Sequence, residues 1–172
     1  VSEEEALNIA KGTLGIDDLR PSGTTEGKVK LYNMSNDTVR VSITAKGGLI
    51  YSVKTNEDIR SQVLSPNEAI RKGSAYISEL GYKDMQATYY IIQDNCILIN
   101  YAYYTDGYMC YPDLVKARVS LSDGKVLDID AAGYIRNHKA RDIPDEKFDI
   151  SYGRSTVPSS LKILSESRAV IP

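Results

Sequence analysis

The 172 residues carry 23 acidic against 21 basic side chains, a net charge of −2, with 42% hydrophobic and 26% charged residues. That is the composition of a globular chain of one or two domains, not of a disordered one. It lacks the clustered basic excess that phosphate neutralisation needs, so no nucleic-acid partner is expected, and no apolar run approaches the length of a membrane span.

In chain order, "SEEEALNIAKGTLG" from Ser2 reads as a capped helix: Ser2 at the N-cap, Glu5 three residues on, Gly15 at the end. Three strand patterns follow, "KVKLYNM", "TVRVSITA" and "LIYSV", separated by the polar turn "SND" and by Gly47-Gly48. "SPNEAIRKGSAYISELG" from Ser65 then repeats the first signal, with Ser65 and Glu68 as the capping box and Pro66 at the first helical position. Ala6, Leu7, Ala10 and Leu14 correspond to Ala69, Ile70, Gly73 and Ile77, one stripe in each helix. The strands "MQATYYIIQ", "CILINYAYY", "LVKARVSL" and "KVLDIDA" come next, turning at Asp94-Asn95 and Asp123-Gly124. The fold class this predicts is α+β: tandem modules, each one helix packed on an antiparallel sheet of three to four strands. The units are 1–62 and 63–141, expected to pack on each other. Residues 142–172 form a linker, "DIPDEKFD", where proteolysis would concentrate, and the start of a truncated third unit. There Ser151 is the expected cap, Arg154 stands where Glu is wanted and Pro158 interrupts. The closing "SRAVIP" reads as the start of a strand, and the absence of an initiator Met reads as an excised fragment.

Chemistry-bearing patterns are sparse. Cys96 and Cys110 form no CxxC and read as two separate thiols, with a disulfide as the alternative. No metal or cofactor is expected. Gly47-Gly48 lies between strands and not before a helix, unlike a phosphate cradle. Asp128 and Asp130 share one strand face and read as outward, solubilising charge rather than a glycosidase pair. The only histidine, His138, has no sequence companion that would make it catalytic, so no enzymatic activity is expected. Two surfaces are candidates for partner binding. One is the Tyr-rich strand region with Tyr101, Tyr103, Tyr111 and Asp113, since tyrosine is enriched at interfaces. The other is the tail "AAGYIRNHKAR", where Tyr134, Arg136, His138, Lys139 and Arg141 would meet carboxylates or sugar-linked anions. The plain structural readings are sheet packing for the tyrosines, the start of a strand for Tyr111-Pro112-Asp113, and an exit turn shaped by Gly133 and Asn137 for the tail.

The stretches "GGLIYSV", "LSPNEAIRKGSAYISELGYKDM", "YPDLVKARVSLSDGKV" and "AAGYIRNHKAR" resemble PepSY modules, and more narrowly the spore germination protein YpeB family. The resemblance implies tandem PepSY repeats and a non-catalytic role: binding, stabilising or restraining a spore cortex-lytic enzyme, a peptidoglycan hydrolase. It also implies a membrane-anchored parent on the outer side of the inner spore membrane, facing the cortex. A PepSY-type inhibitor of a protease or hydrolase and a peptidoglycan-binding module are the alternatives, and a homodimer is left open.

Overall fold

A computed structural model describes residues 1–143 and 149–171. The first helix, α1 (Glu3–Leu14), begins at the expected capping box and ends on Gly15 in the left-handed conformation. Four strands follow: β1 (Arg20–Thr25), β2 (Leu31–Ser35), β3 (Val39–Thr44) and β4 (Ile50–Thr55). The second module repeats this order with α2 (Pro66–Glu79), β5 (Met85–Gln93), β6 (Cys96–Thr105), β7 (Tyr108–Ser120) and β8 (Val126–Asp130). The end of α2 is a Schellman stop: Gly81 N–H donates to Ser78 O and Tyr82 N–H to Ile77 O. Tyr82 and Ile77 are both buried, which supplies the apolar contact such stops favour. β1 has no counterpart among the expected strands, because "RPSGTT" alternates nothing and carries Pro21 and Gly23.

The strands form one sheet in the order β1-β2-β3-β4-β8-β7-β6-β5. The last strands of the two modules, β4 and β8, pair antiparallel and join them. Their preceding hairpins correspond bond for bond. Thr44 N–H donates to Leu49 O as Ser120 N–H does to Lys125 O, and Gly48 N–H to Thr44 O as Gly124 N–H does to Ser120 O. In this correspondence Val53 matches Ile129, and these two residues face each other in the β4–β8 ladder. A local two-fold axis therefore relates the modules. Both helices cover the same sheet face, and a single apolar core runs from Ala6, Ala10 and Val41 through Val53 and Ile129 to Ile77, Ile99 and Val119.

Where α1 presents Ala10 to the sheet, α2 presents Gly73, because the large ring of Tyr101 lies beneath it. Tyr101 is fully buried, and its hydroxyl donates to Ile70 O at 2.9 Å. Burial pushes its pKa up to about 12. A Cβ on Gly73 would stand 2.3 Å from the Tyr101 hydroxyl and 3.3 Å from Val119 Cγ2. Gly73→Ala is expected to destabilise the chain by about 1–3 kcal/mol through overpacking, despite the ~1 kcal/mol that alanine contributes to a helix. A fall in the urea midpoint with unchanged slope checks this.

Beyond β8 a short helix, α3 (Ala132–Asn137), replaces the expected exit turn. Pro144–Phe148, most of the expected linker, lie outside the described residues. The next helix, α4 (Ile150–Ser155), is capped by Asp149 and not by Ser151: the Asp149 carboxylate accepts from Tyr152 N–H at 3.0 Å. The closing β9 (Arg168–Val170) pairs in parallel with the start of β7. Both cysteines are free and buried. They lie toward opposite ends of the β6–β7 ladder, Cys96 on β6 opposite Ser120 and Cys110 on β7 opposite Tyr103. At ~3.3 Å of rise per residue that separation is far beyond disulfide reach.

Candidate functional site

The register of β6 against β7 slips between Ala102, opposite Leu114, and Tyr103, opposite Cys110. Tyr111, Pro112 and Asp113 therefore bulge out of the ladder. Pro112 suits such a place, having no N–H to donate. The bulge turns Asp113 inward, and its side chain is 0% exposed. A buried carboxylate must be paired, and α3 brings its partners. Arg141 takes both carboxylate oxygens with its guanidinium fork, and His138 Nδ1 lies 2.9 Å from Oδ2. The Asp113 contact holds the Arg141 guanidinium above its ordinary pKa. The segment is tied down further by Asn137 Nδ2 donating to Pro112 O at 2.9 Å and by Arg141 donating to Asn137 O at 3.1 Å. Gly133 lets α3 seat on β7, since a Cβ there would meet Leu114 O at 2.9 Å.

His138 is held on its faces as well. Its ring stacks on Tyr134 at 4.2 Å between centroids and meets Tyr103 edge-on at 4.6 Å. Tyr134 in turn meets Tyr82 edge-on at 5.1 Å, and the Tyr82 hydroxyl donates to Ile50 O of the first module at 2.5 Å. With Asp113 accepting at Nδ1, the second ring nitrogen is the polar atom left over. Among the described residues no hydroxyl or thiol bonds to it, so the pair lacks the nucleophile of a triad. No group of described His, Cys, Asp and Glu side chains is arranged to hold a metal.

His138 lines an open cleft of about 700 Å³ where the two modules meet. One wall comes from the first module's β1–β2 and β3–β4 connections, with Lys28, Lys30, Lys46 and Leu49. Tyr134, Ile135 and His138 of α3 form the other. Lys30 is paired with Glu26 at 2.8 Å. Among the described residues Lys28 and Lys46 have no ion-pair partner. A wall of ammonium groups beside apolar side chains suits a carboxylate-bearing segment that also has apolar residues.

The candidate residues thus separate. Tyr103, Tyr134 and His138 come together with Asp113 and Arg141, and Tyr134 and His138 reach the cleft. Tyr101 does not belong to a binding surface, because the alternation that buries Ile97 and Ile99 also points it under α2. Asp113 and Arg141 are consumed by one another instead of facing a partner. Tyr111 is half-buried in the bulge, while Arg136 and Lys139 are exposed. Arg136 lies over the Tyr51 ring, 5.7 Å from its centroid. Of the expected basic tail, Arg141 is thus neutralised by Asp113, while Arg136 and Lys139 remain exposed. Lys28, Lys30 and Lys46 had no such signal; they meet α3 only through the β4–β8 pairing.

Asp128 also departs from the solubilising role expected of it. It binds Arg118 Nε at 2.8 Å and accepts from Thr55 N–H at 2.9 Å, linking the modules on the sheet face away from the helices. Asp130 is likewise engaged, its carboxylate accepting from Ala132 N–H at 3.0 Å where the chain leaves β8. Burial pushes the Asp128 carboxyl up, but the Arg118 guanidinium, the Thr55 N–H and Lys54 together hold it below its ordinary 3.8. A carboxyl lowered in the folded state stabilises above its unfolded pKa and loses that contribution as pH falls through the folded one. Asp128→Asn should therefore cost about 1 kcal/mol at neutral pH and lose less stability than the parent between about pH 4 and 2. Urea titrations across that range check the slope.

Helix-on-sheet modules repeated in tandem around a shared sheet define the class of protein. The profile described as YpeB sporulation, PepSY1 and PepSY2 domains matches residues 1–144, and the chain belongs to that family. It is 25% identical over 171 residues to sporulation protein YpeB of Oceanobacillus iheyensis, covering 99% of this chain and 37% of that protein. With the Bacillus subtilis sporulation protein YpeB it shares 22% identity over 182 residues, 99% of this chain and 40% of that protein. The solved Bacillus megaterium YpeB C-terminal domain superposes with a TM-score of 0.87 at 26% identity, covering 99% of this chain and 80% of that one. The chain spans about two fifths of the length of these curated relatives. The relatives are named for sporulation and not for a reaction. Among the described residues no helix is long and apolar enough to cross a membrane.

Proposed function

We propose that this chain is a non-catalytic docking module of a spore germination protein, one that binds a spore cortex-lytic enzyme and keeps it stable. Membership of the YpeB family supports a spore setting, and in this reading the module works on the cortex-facing side of the inner spore membrane. The observation that carries the docking role is the cleft between the modules. Lys28 and Lys46 project there beside Leu49 and Ile135, and the Asp113 node fixes the wall that contains His138. The partner's contact is an acidic segment with apolar residues at its centre. In this reading the units 1–62 and 63–141 act together, because each supplies one wall.

The test is a titration of the chain against the cortex-lytic enzyme of the same organism, following binding and peptidoglycan hydrolysis together. Binding with preserved turnover and slower inactivation is the expected result. Binding with lost turnover makes the chain an inhibitor. No binding to the enzyme, with retention on purified cortex instead, would replace this reading with a peptidoglycan-binding one.

A further inference from the structure

We propose that β5 is a self-association edge: two copies of the chain pair their β5 strands antiparallel, about a two-fold axis at Ile91, into one sheet. β5 ends the strand order, so one of its edges has no strand beside it. Its nine residues, "MQATYYIIQ", contain no charge, proline or glycine. Tyr89, Tyr90, Ile91 and Ile92 are between 41% and 59% exposed. Natural sheets guard their edges with charge, proline, bulges or short strands. The opposite edge follows that rule: β1 is six residues with Arg20, Pro21 and Gly23, and its register is broken between Pro21 and Gly23. β5 carries one such guard, a register break between Ala87 and Tyr89, but the four consecutive large apolar residues lie beyond it and form a surface built to be covered.

A second copy fits this edge for two reasons. First, the fold already joins its modules this way, pairing β4 with its counterpart β8 about a local two-fold axis. Second, the strand complements itself. Directly opposed residues on antiparallel strands share a face, so a symmetric register must centre on a residue. Centred on Ile91, it places Tyr90 opposite Ile92 of the second copy, twice, on the helix-covered face. Such aromatic and β-branched pairs stabilise sheets. On the other face Ile91 meets itself beside Leu98, its partner in β6. Tyr89 meets Gln93, and the pairing ends there, because Thr88 is the bulged residue of β5 and Asp94 lies in the turn beyond the strand.

Sedimentation equilibrium over a concentration series tests this, with Ile91→Lys and Ile91→Cys beside the parent. The parent should form a dimer. Ile91→Lys should be monomeric at every concentration with an unchanged Tm, because the site is exposed and two lysines would oppose each other. Ile91→Cys should cross-link into a covalent dimer on oxidation, whereas the parent, with its cysteines buried, should not. A parent that stays monomeric at the highest concentration overturns the proposal, as does a dimer that survives Ile91→Lys. The cleft lies on other elements, so either result leaves the docking test unaffected.

Discussion

Replacing Asp113 with alanine should lower stability by about 3 kcal/mol, the cost of leaving a largely buried partner charge without its counter-ion. Arg141 is 12% exposed, and both ends of its guanidinium fork are committed to Asp113. His138 would lose its one side-chain hydrogen bond at the same time. The loss should concentrate at the α3 wall of the cleft. Amide exchange of residues 133–138 is expected to rise more than that of β2 or β3. Asp113→Asn separates charge from shape: it keeps the bulge's volume, keeps one acceptor and should cost less than alanine. Equal loss in the two variants would mean that packing at the bulge, and not the ion pair, holds the segment.

Tyr82→Ala should cost more, about 3–5 kcal/mol, as expected for a large buried ring removed from a core. Tyr82 is 1% exposed, closes the Schellman stop of α2, meets the Tyr134 ring and donates to Ile50 O across the module junction. Tyr82→Phe keeps the ring and removes only the hydroxyl, leaving a buried carbonyl short of a donor, at about 1–2 kcal/mol. Because one core spans both modules, either variant should shift a single unfolding transition measured by circular dichroism and by tyrosine fluorescence. Two separated transitions would show that the modules unfold as independent units.

These effects fall where the sequence was least informative. The two long helices, α1 and α2, were legible because their signals are local: a serine and a glutamate three residues apart set each start, and a glycine follows each end. The second module's strands were legible because alternation and the Asp94-Asn95 turn set them. β1 was not, since its residues are exposed throughout and leave no pattern. Nor was α3, whose N-cap is Ala131 with no side-chain bond to announce a helix. Tyr101 could have been assigned to the core, as its spacing from Ile97 and Ile99 places it on their face. Asp113 could not, because Pro112 beside it fits the start of a strand as well as a bulge and its partner lies 28 residues further on. The lysines of the cleft are in the first module and their opposite wall is in the second. Only the β4–β8 pairing brings them together, and long-range pairing of that kind has no local signature.

The docking account is tested most directly by a binding isotherm between the cortex-lytic enzyme and the chain carrying Lys28→Glu and Lys46→Glu together. Lys116→Glu, on the exposed sheet face away from the helices, serves as the control. The account predicts that the double variant keeps its Tm and binds at least about tenfold more weakly, a loss of ~1.4 kcal/mol, while the control binds like the parent. Full affinity in the double variant, or equal weakening in the control, would contradict it.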